Sequence, residues 1–143
     1  MSFQKIDVQH EFRIPVGRVF AYLSEHENLG VLFGLKVERV RDGDSARNGV
    51  GSVRKLSLAG IAPFEETVTA FVPDELIVYR VTKGSPIKNH EGRMEVSSRE
   101  SGAASHLRYR IEFEGKIPGL GPVVERSLTR SITKGLRKVD QQA

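Results

Sequence analysis

Residues 119–140 read GLGPVVERSLTRSITKGLRKVD, and the spacing inside that stretch decides the fold. Val124, Leu128, Ile132, Leu136 and Val139 recur at intervals of four, four, four and three, the period of one helical face. A long amphipathic helix from about Gly119 to Asp140 follows, entered through the loose run 115–122. Ser127, Ser131 and Gly135 flank the apolar stripe. Small residues there let something approach the helix closely, either a sheet or a ligand. Everything upstream is dominated by alternating strands, and a sheet meeting a single helix must wrap around it to bury both apolar faces. Such a wrap leaves a cavity between them.

The first of those strands runs from Phe3 to Ile14, with Ile6, Val8, His10, Phe12 and Ile14 on one side and charges on the other. Pro15 suits the start of a helix, and Val16, Val19, Phe20 and Leu23 keep helical spacing. Ser24 with Glu27 three residues on has the form of a capping box for a second short helix through Leu29 and Leu32, stopped at Gly34. Six strands are expected next: Leu35–Arg41, Val50–Leu58, Phe64–Val72, Glu75–Thr82, Lys88–Ser98 and His106–Glu114. Their connections are Asp42-Gly43-Asp44, a loop 59–63 centred on Ile61, Pro73-Asp74, residues 83–86 and the polar stretch Ser97–Ser105. No repeat, low-complexity tract or linker interrupts the 143 residues, so one domain over 1–143 is expected.

Opposed residues of antiparallel strands share a face. Simple hairpins set Val68 against Tyr79, Glu66 against Val81, Val81 against His90, Tyr79 against Gly92, His90 against Phe113 and Gly92 against Ile111. A loop centred on Ile61 sets Leu56 against Glu66 and Arg54 against Val68. One face then collects Leu56, Val68, Ile77, Tyr79, Val81, Met94, Val96, Leu107, Tyr109, Ile111 and Phe113, and this face must meet the long helix. The other carries residues such as Arg80, Glu91, Glu95, Arg108 and Arg110. Three polar residues fall on the inner face: Arg54, Glu66 and His90. A buried charge is costly unless paired, so an ion pair between diagonal Arg54 and Glu66 is the simplest account. His90 would stand about 10 Å from Glu66, two strands away. Gly92, opposite Tyr79, marks a bend that opens space.

Composition narrows the function classes. Hydrophobic content of 38% and charged content of 28% are ordinary for a soluble globular protein, and the longest apolar runs are far too short to cross a bilayer. Asp7, His10 and Arg13 interrupt any apolar signal core near the N-terminus. The chain lacks cysteine, which excludes a thiolate nucleophile or thiolate metal site, and a cytoplasmic setting is expected. His10, His26, His90 and His106 show no metal-ligand spacing, so neither metal nor cofactor is expected. The net charge is +4 and the pI about 9.6. Basic residues spread along the chain except at Arg126, Arg130, Lys134, Arg137 and Lys138, which share one face of the last helix. That face reads as a solvated surface, with contact to an anionic surface as the alternative. No clustering of cations with stacking aromatics suggests nucleic-acid binding.

The run Ile14-Pro15 into Val19-Phe20-Ala21-Tyr22-Leu23, then Gly49-Val50-Gly51-Ser52-Val53-Arg54, Glu65-Glu66-Thr67-Val68 and Pro73 through Val81, capped by the C-terminal helix, resembles a known superfamily. It is the group that includes START lipid-transfer domains, birch-pollen-type allergens and polyketide cyclase/dehydrase-like proteins. The resemblance spans nearly the whole chain. It implies an α+β helix-grip fold: a seven-stranded antiparallel sheet wrapped around a long C-terminal helix, with two short helices between the first two strands. It implies a hydrophobic ligand cavity too, but no single activity, since binders, transporters, cyclases and co-chaperones all occur. The chain has no tryptophan, which relatives often carry in the short-helix region, so no ligand contact is carried over to residues 29–33.

Three functions remain in view. One is binding or transport of a small hydrophobic molecule, such as a lipid, isoprenoid or polyketide-like compound. It would be held by Arg54, Leu56, Glu66, Val68, Tyr79, Val81, His90, Gly92, Met94, Tyr109, Ile111, Phe113, Leu128, Ser131 and Ile132. The second is a cyclase or aromatase with Glu66 or His90 as acid–base and Arg54 or Tyr79 as donor. The third is a protein-interaction or co-chaperone module. No stable membrane insertion is expected, and a homodimer is left open.

Overall fold

The computed structural model describes residues 3–58, 61–85 and 87–142. Strand β1 (Phe3–Phe12) leads into helix α1 (Val16–Ser24), a 3₁₀ turn (His26–Asn28) and helix α2 (Leu29–Phe33). Strands β2 (Lys36–Arg41), β3 (Val53–Leu58), β4 (Ile61–Val72), β5 (Leu76–Lys83), β6 (Ile87–Arg99) and β7 (Ala104–Gly115) follow, and helix α3 (Leu120–Gln142) closes the chain. The sheet order is β1-β7-β6-β5-β4-β3-β2, with every pairing antiparallel. The first strand therefore crosses to the far edge beside the last, and the sheet grips α3 as the helix-grip expectation requires.

The alternation read from the sequence is the burial pattern of most strands; β5 departs from it, with Ile77, Val78 and Tyr79 buried in a row and Val81 half-buried. Val68, Ile77, Tyr79, Met94, Leu107, Tyr109, Ile111 and Phe113 are all buried on the inner face. Burial of each such side chain contributes roughly 1.5–3 kcal/mol, so the sheet is held to α3 mainly by area removed from water. Ile132, Leu136 and Val139 of α3 are completely buried against it. On the outer face the charges pair across strands, as in Asp7–Arg108 at 2.8 Å and Arg80–Glu91 at 3.0 Å.

Several local expectations are corrected. Ser24 does not cap the second helix. It ends α1, and its hydroxyl donates to the Ala21 carbonyl at 3.2 Å. Glu27 turns instead to Arg39 on β2, at 3.0 Å. The capping-box pattern is overridden because Arg39 gathers Glu25, Glu27 and Asp42 around one guanidinium. Gly34 does stop α2, at φ 70°, a conformation that favours glycine.

The β3–β4 register is shifted by two from the expected one: Arg54 faces Glu66 and Leu56 faces Phe64. Strand β4 begins at Ile61, so the connection is shorter than the 59–63 loop expected, and Ala59 and Gly60 of that loop lie outside the described residues. Pro63 is accommodated where the ladder slips between Leu56 and Leu58, a place that needs no donor. The two-residue shift preserves every face but makes Arg54 and Glu66 direct rather than diagonal neighbours.

The remaining registers hold at Val68–Tyr79, Glu66–Val81, Tyr79–Gly92 and Gly92–Ile111. They fail at His90. Lys88 pairs with Glu114 and Glu91 with Glu112, so Asn89 and His90 together oppose Phe113. Asn89 takes the extra residue of this bulge at φ 52°. Pro86, in the turn expected before it, lies outside the described residues.

Candidate functional site

The Asn89–His90 bulge re-aims His90. Instead of pairing with Val81 through the backbone, its ring Nδ1 accepts the Val81 N–H at 3.1 Å. A backbone amide can only donate, so Nδ1 carries no proton and the neutral ring must carry its hydrogen on Nε2. Burial holds His90 below the usual histidine range, Arg54 adds to that effect, and the opposing pull of Glu66 does not reverse it. The result is a neutral imidazole presenting an N–H donor.

That donor faces Glu66. Arg54 Nε donates to Glu66 Oε1 at 2.8 Å, while Glu66 Oε2 stands 3.9 Å from His90 Nε2. The second separation is too long for a hydrogen bond, so one carboxylate oxygen is engaged and the other faces an imidazole N–H across a gap. Arg54, Glu66 and His90 are 2%, 5% and 7% exposed, so their mutual contacts must replace water. Arg54 also lies 4.5 Å over the Tyr79 ring, a cation–π contact, and its buried Nη2 has no hydrogen-bond partner among the described residues. The Tyr79 and Tyr109 hydroxyls bond to each other. Burial first, with lesser contributions from neighbouring groups, raises both phenols, and both stay neutral.

A cavity of about 370 Å³ adjoins this cluster. Its walls come from the end of α2 (Phe33, Gly34, Leu35), from the sheet (Leu56, Phe64, Glu66, Tyr79, Ile87, His90, Ile111) and from the N-terminal half of α3. Leu120, Val124 and Leu128 line it from that helix, with Ser127, Ser131 and Val123. Val123 is both wall and surface, at 57% exposure, so the cavity reaches solvent at the first turn of α3.

Of the residues singled out from sequence, Leu56, Glu66, Tyr79, His90, Ile111, Leu128 and Ser131 line this cavity. Arg54 stands behind Glu66 and reaches the cavity only through it. Val68, Met94, Tyr109, Phe113 and Ile132 are buried in the packed core instead, and Val81 offers its backbone to His90. Gly92 is also placed differently from expectation. A Cβ there would stand 2.2 Å from the Tyr79 ring, so the space glycine leaves is filled by tyrosine rather than open to a ligand. Gly135 is similarly occupied: a Cβ there would meet the Leu32 Cα at 2.7 Å, so α2, neither sheet nor ligand, makes the close approach.

Sequence reasoning passed over Phe33, Phe64 and Ile87 as cavity walls and His26 as a polar core residue. His26 is completely buried. The Ser52 hydroxyl donates to the Gly49 carbonyl at 2.7 Å, so it accepts from His26 Nε2–H at 3.0 Å. Burial, reinforced by Arg54 and Arg39, pushes His26 down to about 3. The polar run Ser24-Glu25-His26-Glu27-Asn28 around it gives no sign of this burial. Among the described residues no group of three His, Asp or Glu side chains is placed to hold a metal ion.

Comparison with known proteins places this geometry. No curated protein matches the chain in sequence. Among solved structures, the Zhui aromatase/cyclase from Streptomyces sp. R1128 superposes with a TM-score of 0.75 at 17% identity, over 99% of this chain and 96% of that one. A START superfamily protein from Mycobacterium smegmatis gives 0.77 at 15% identity, over 97% and 99%. Truncated norcoclaurine synthase from Thalictrum flavum gives 0.70 at 13%, over 99% and 96%. At such identities the likeness shows a shared fold. A family model described as polyketide cyclase/dehydrase and lipid transport matches residues 4–143, so the chain belongs to that family.

Proposed function

We propose that this protein binds a small, mainly apolar molecule carrying one polar end, with the apolar body along Leu56, Phe64, Ile111 and Leu128 and the polar end at Glu66 and His90. The observation that carries the reading is the distribution of polarity in the cavity. Apolar side chains make most of its wall, while one carboxylate oxygen and one imidazole N–H converge at a single edge. Few, convergent polar groups in an apolar concavity are what orient a small ligand. A hydroxyl at that edge can donate to Glu66 Oε2 and accept from His90 Nε2–H. The volume of about 370 Å³ sits near the lower end for small-molecule sites, roughly 300–1,000 Å³. One or two rings, or one short chain, fit it better than a two-tailed lipid.

Native mass spectrometry of freshly purified protein, with an organic extract of the same sample, tests this. A bound mass lost on denaturation and recovered in the extract is expected. A clean unliganded mass, together with no saturable binding of an apolar fluorophore, overturns the reading.

A second reading, an aromatase/cyclase-type enzyme, is favoured by the same 3.9 Å gap. Glu66 Oε2 would take a proton from carbon next to a carbonyl, and His90 Nε2–H would donate to the enolate oxygen that forms. Loss of turnover of a linear poly-β-ketone in both Glu66→Gln and His90→Gln, with the fold intact, is its signature. Unchanged turnover in both would remove it.

A further inference from the structure

We propose that the outer face of α3 docks on an anionic phospholipid bilayer, with the mouth of the cavity turned toward the membrane. At 100° per residue, Arg126, Arg130, Lys134, Arg137 and Lys138 fall within an arc of about 120°, opposite the buried stripe of Ile132, Leu136 and Val139. All five are exposed, and among the described residues none forms an ion pair. Neither acid of α3 forms an ion pair with these cations among the described residues. Glu125 lies outside the arc by the same helical count, and Asp140 engages His10 at 3.6 Å and the Arg13 amide at 3.2 Å. On the outer sheet face Arg80, Arg108 and Arg110 each pair with an acid, although Lys5 and Lys55 form no ion pair among the described residues. Unpaired cations along one whole helix face are an electrostatic footprint for an anionic surface.

Charge alone would fit any polyanion; the apolar contacts select the bilayer. Ile117 at 62% and Val123 at 57% are the two most exposed large apolar side chains among the described residues. Val123 sits at the centre of the basic arc, and Ile117 is on the turn that enters the helix, where its carbonyl accepts the Leu120 N–H at 3.1 Å. Apolar side chains at the end of a cationic helix face suit the headgroup boundary of a membrane. Because Val123 also lines the cavity, docking by this face sets the opening against lipid. No helix among the described residues is long and apolar enough to cross a membrane, so the association is peripheral.

Flotation of the full chain tests this, with phosphatidylcholine vesicles containing about one-third phosphatidylglycerol against pure phosphatidylcholine vesicles. The anionic vesicles are expected to bind at least about tenfold tighter, with the preference lost at high salt. Each Lys or Arg near the surface is worth about fivefold in affinity, so Arg130→Ala/Lys134→Ala should weaken binding about 25-fold. Arg126→Ala/Arg137→Ala, on the same face, should weaken it similarly, and Ile117→Ser should weaken it severalfold. Circular dichroism should be unchanged in all three. Equal binding to both vesicle types, or undiminished binding by both double variants, overturns the proposal. So does binding of soluble polyglutamate as tightly as of vesicles with Ile117→Ser without effect, which assigns the face to an acidic protein. Vesicle binding needs no cargo, so this outcome is independent of whether the cavity binds a ligand.

Discussion

The two halves of α3 carry the same apolar spacing and do different things with it. In the C-terminal half Ile132, Leu136 and Val139 are fully buried, and Gly135 lets the α2 backbone close down on the helix. In the N-terminal half Val124 and Leu128 are only half-buried and face a cavity, with Ser127 and Ser131 beside them. A glycine admits backbone and seals one end, while at the other Ser127 and Ser131 line the cavity with the end of α2. The periodicity of a helix predicts which face points inward, and the elements packed against it decide whether that face becomes core or wall.

The sharpest way to break this contrast is at the buried ion pair of the open half. Glu66→Leu leaves the Arg54 guanidinium buried without its anion and should cost about 3–5 kcal/mol in denaturant unfolding. The double variant Arg54→Met/Glu66→Leu should recover most of that loss, because a buried pair and an apolar replacement are often nearly equivalent. Recovery of stability without recovery of ligand binding would identify the pair as functional. If the single variant were as stable as the parent, Arg54 would have to reach solvent or another anion, against its 2% exposure.

Next in size is a matched pair of truncations. Leu136→Ala removes a side chain with no exposure and should cost about 2–5 kcal/mol. Leu128→Ala enlarges a space that already exists, so it should cost under about 1.5 kcal/mol while changing which ligands are retained. Equal losses at both sites, measured by urea unfolding, would mean that the cavity is closed in solution.

The face of nearly every strand residue was legible in the sequence because alternation is a physical requirement of a half-buried sheet. The polar trio Arg54, Glu66 and His90 stood out for the same reason, as polar residues on the apolar side of that alternation. What alternation could not supply was distance. Arg54 and Glu66 moved from diagonal to opposite because β4 begins at Ile61 rather than Phe64, which brings the turn closer to β3. The His90 ring came within 3.9 Å of the Glu66 carboxylate although their strands lie two apart, about 10 Å backbone to backbone, and the bulge at Asn89 rests on a left-handed conformation that no periodicity announces. Gly92 shows the converse: its smallness was visible, but whether tyrosine or ligand would use the space depended on a neighbouring strand. The Ser24–Glu27 capping pattern failed to a tertiary partner, Arg39, distant in sequence.

The buried histidine behind the site gives the two-ended comparison a pH dependence. His26 is held neutral, at about 3, against an ordinary value of 6.5. Below 6.5 the unfolded chain takes a proton that the folded one refuses, so stability falls as pH drops from 6.5 toward 3 and is fully present above 6.5. The slope from this group is up to about 1.4 kcal/mol per pH unit. His90, also held low by burial, adds in the same direction. Acids paired with arginine, such as Glu27 and Glu95, contribute to acid unfolding too. The informative quantity is therefore the difference between parent and His26→Gln, which should have the shallower profile. Parallel profiles would mean that His26 becomes protonated in the folded state.

The smallest effect on stability separates wall from core most cleanly. Ser131 lines the cavity between Leu128 and Gly135, with its hydroxyl facing Gly34. In a packed core, Ser131→Leu would overfill the site and cost about 1–3 kcal/mol. At the edge of a 370 Å³ cavity the added side chain has room to turn into empty space and buries new apolar area. The change in unfolding free energy should stay within about 1 kcal/mol of zero. Ligand retention should nevertheless disappear, because the leucine occupies the volume the ligand needs. Destabilisation as large as that of Leu136→Ala would show that the two halves of the helix are packed alike, and the cavity would then have to be sought elsewhere in the fold.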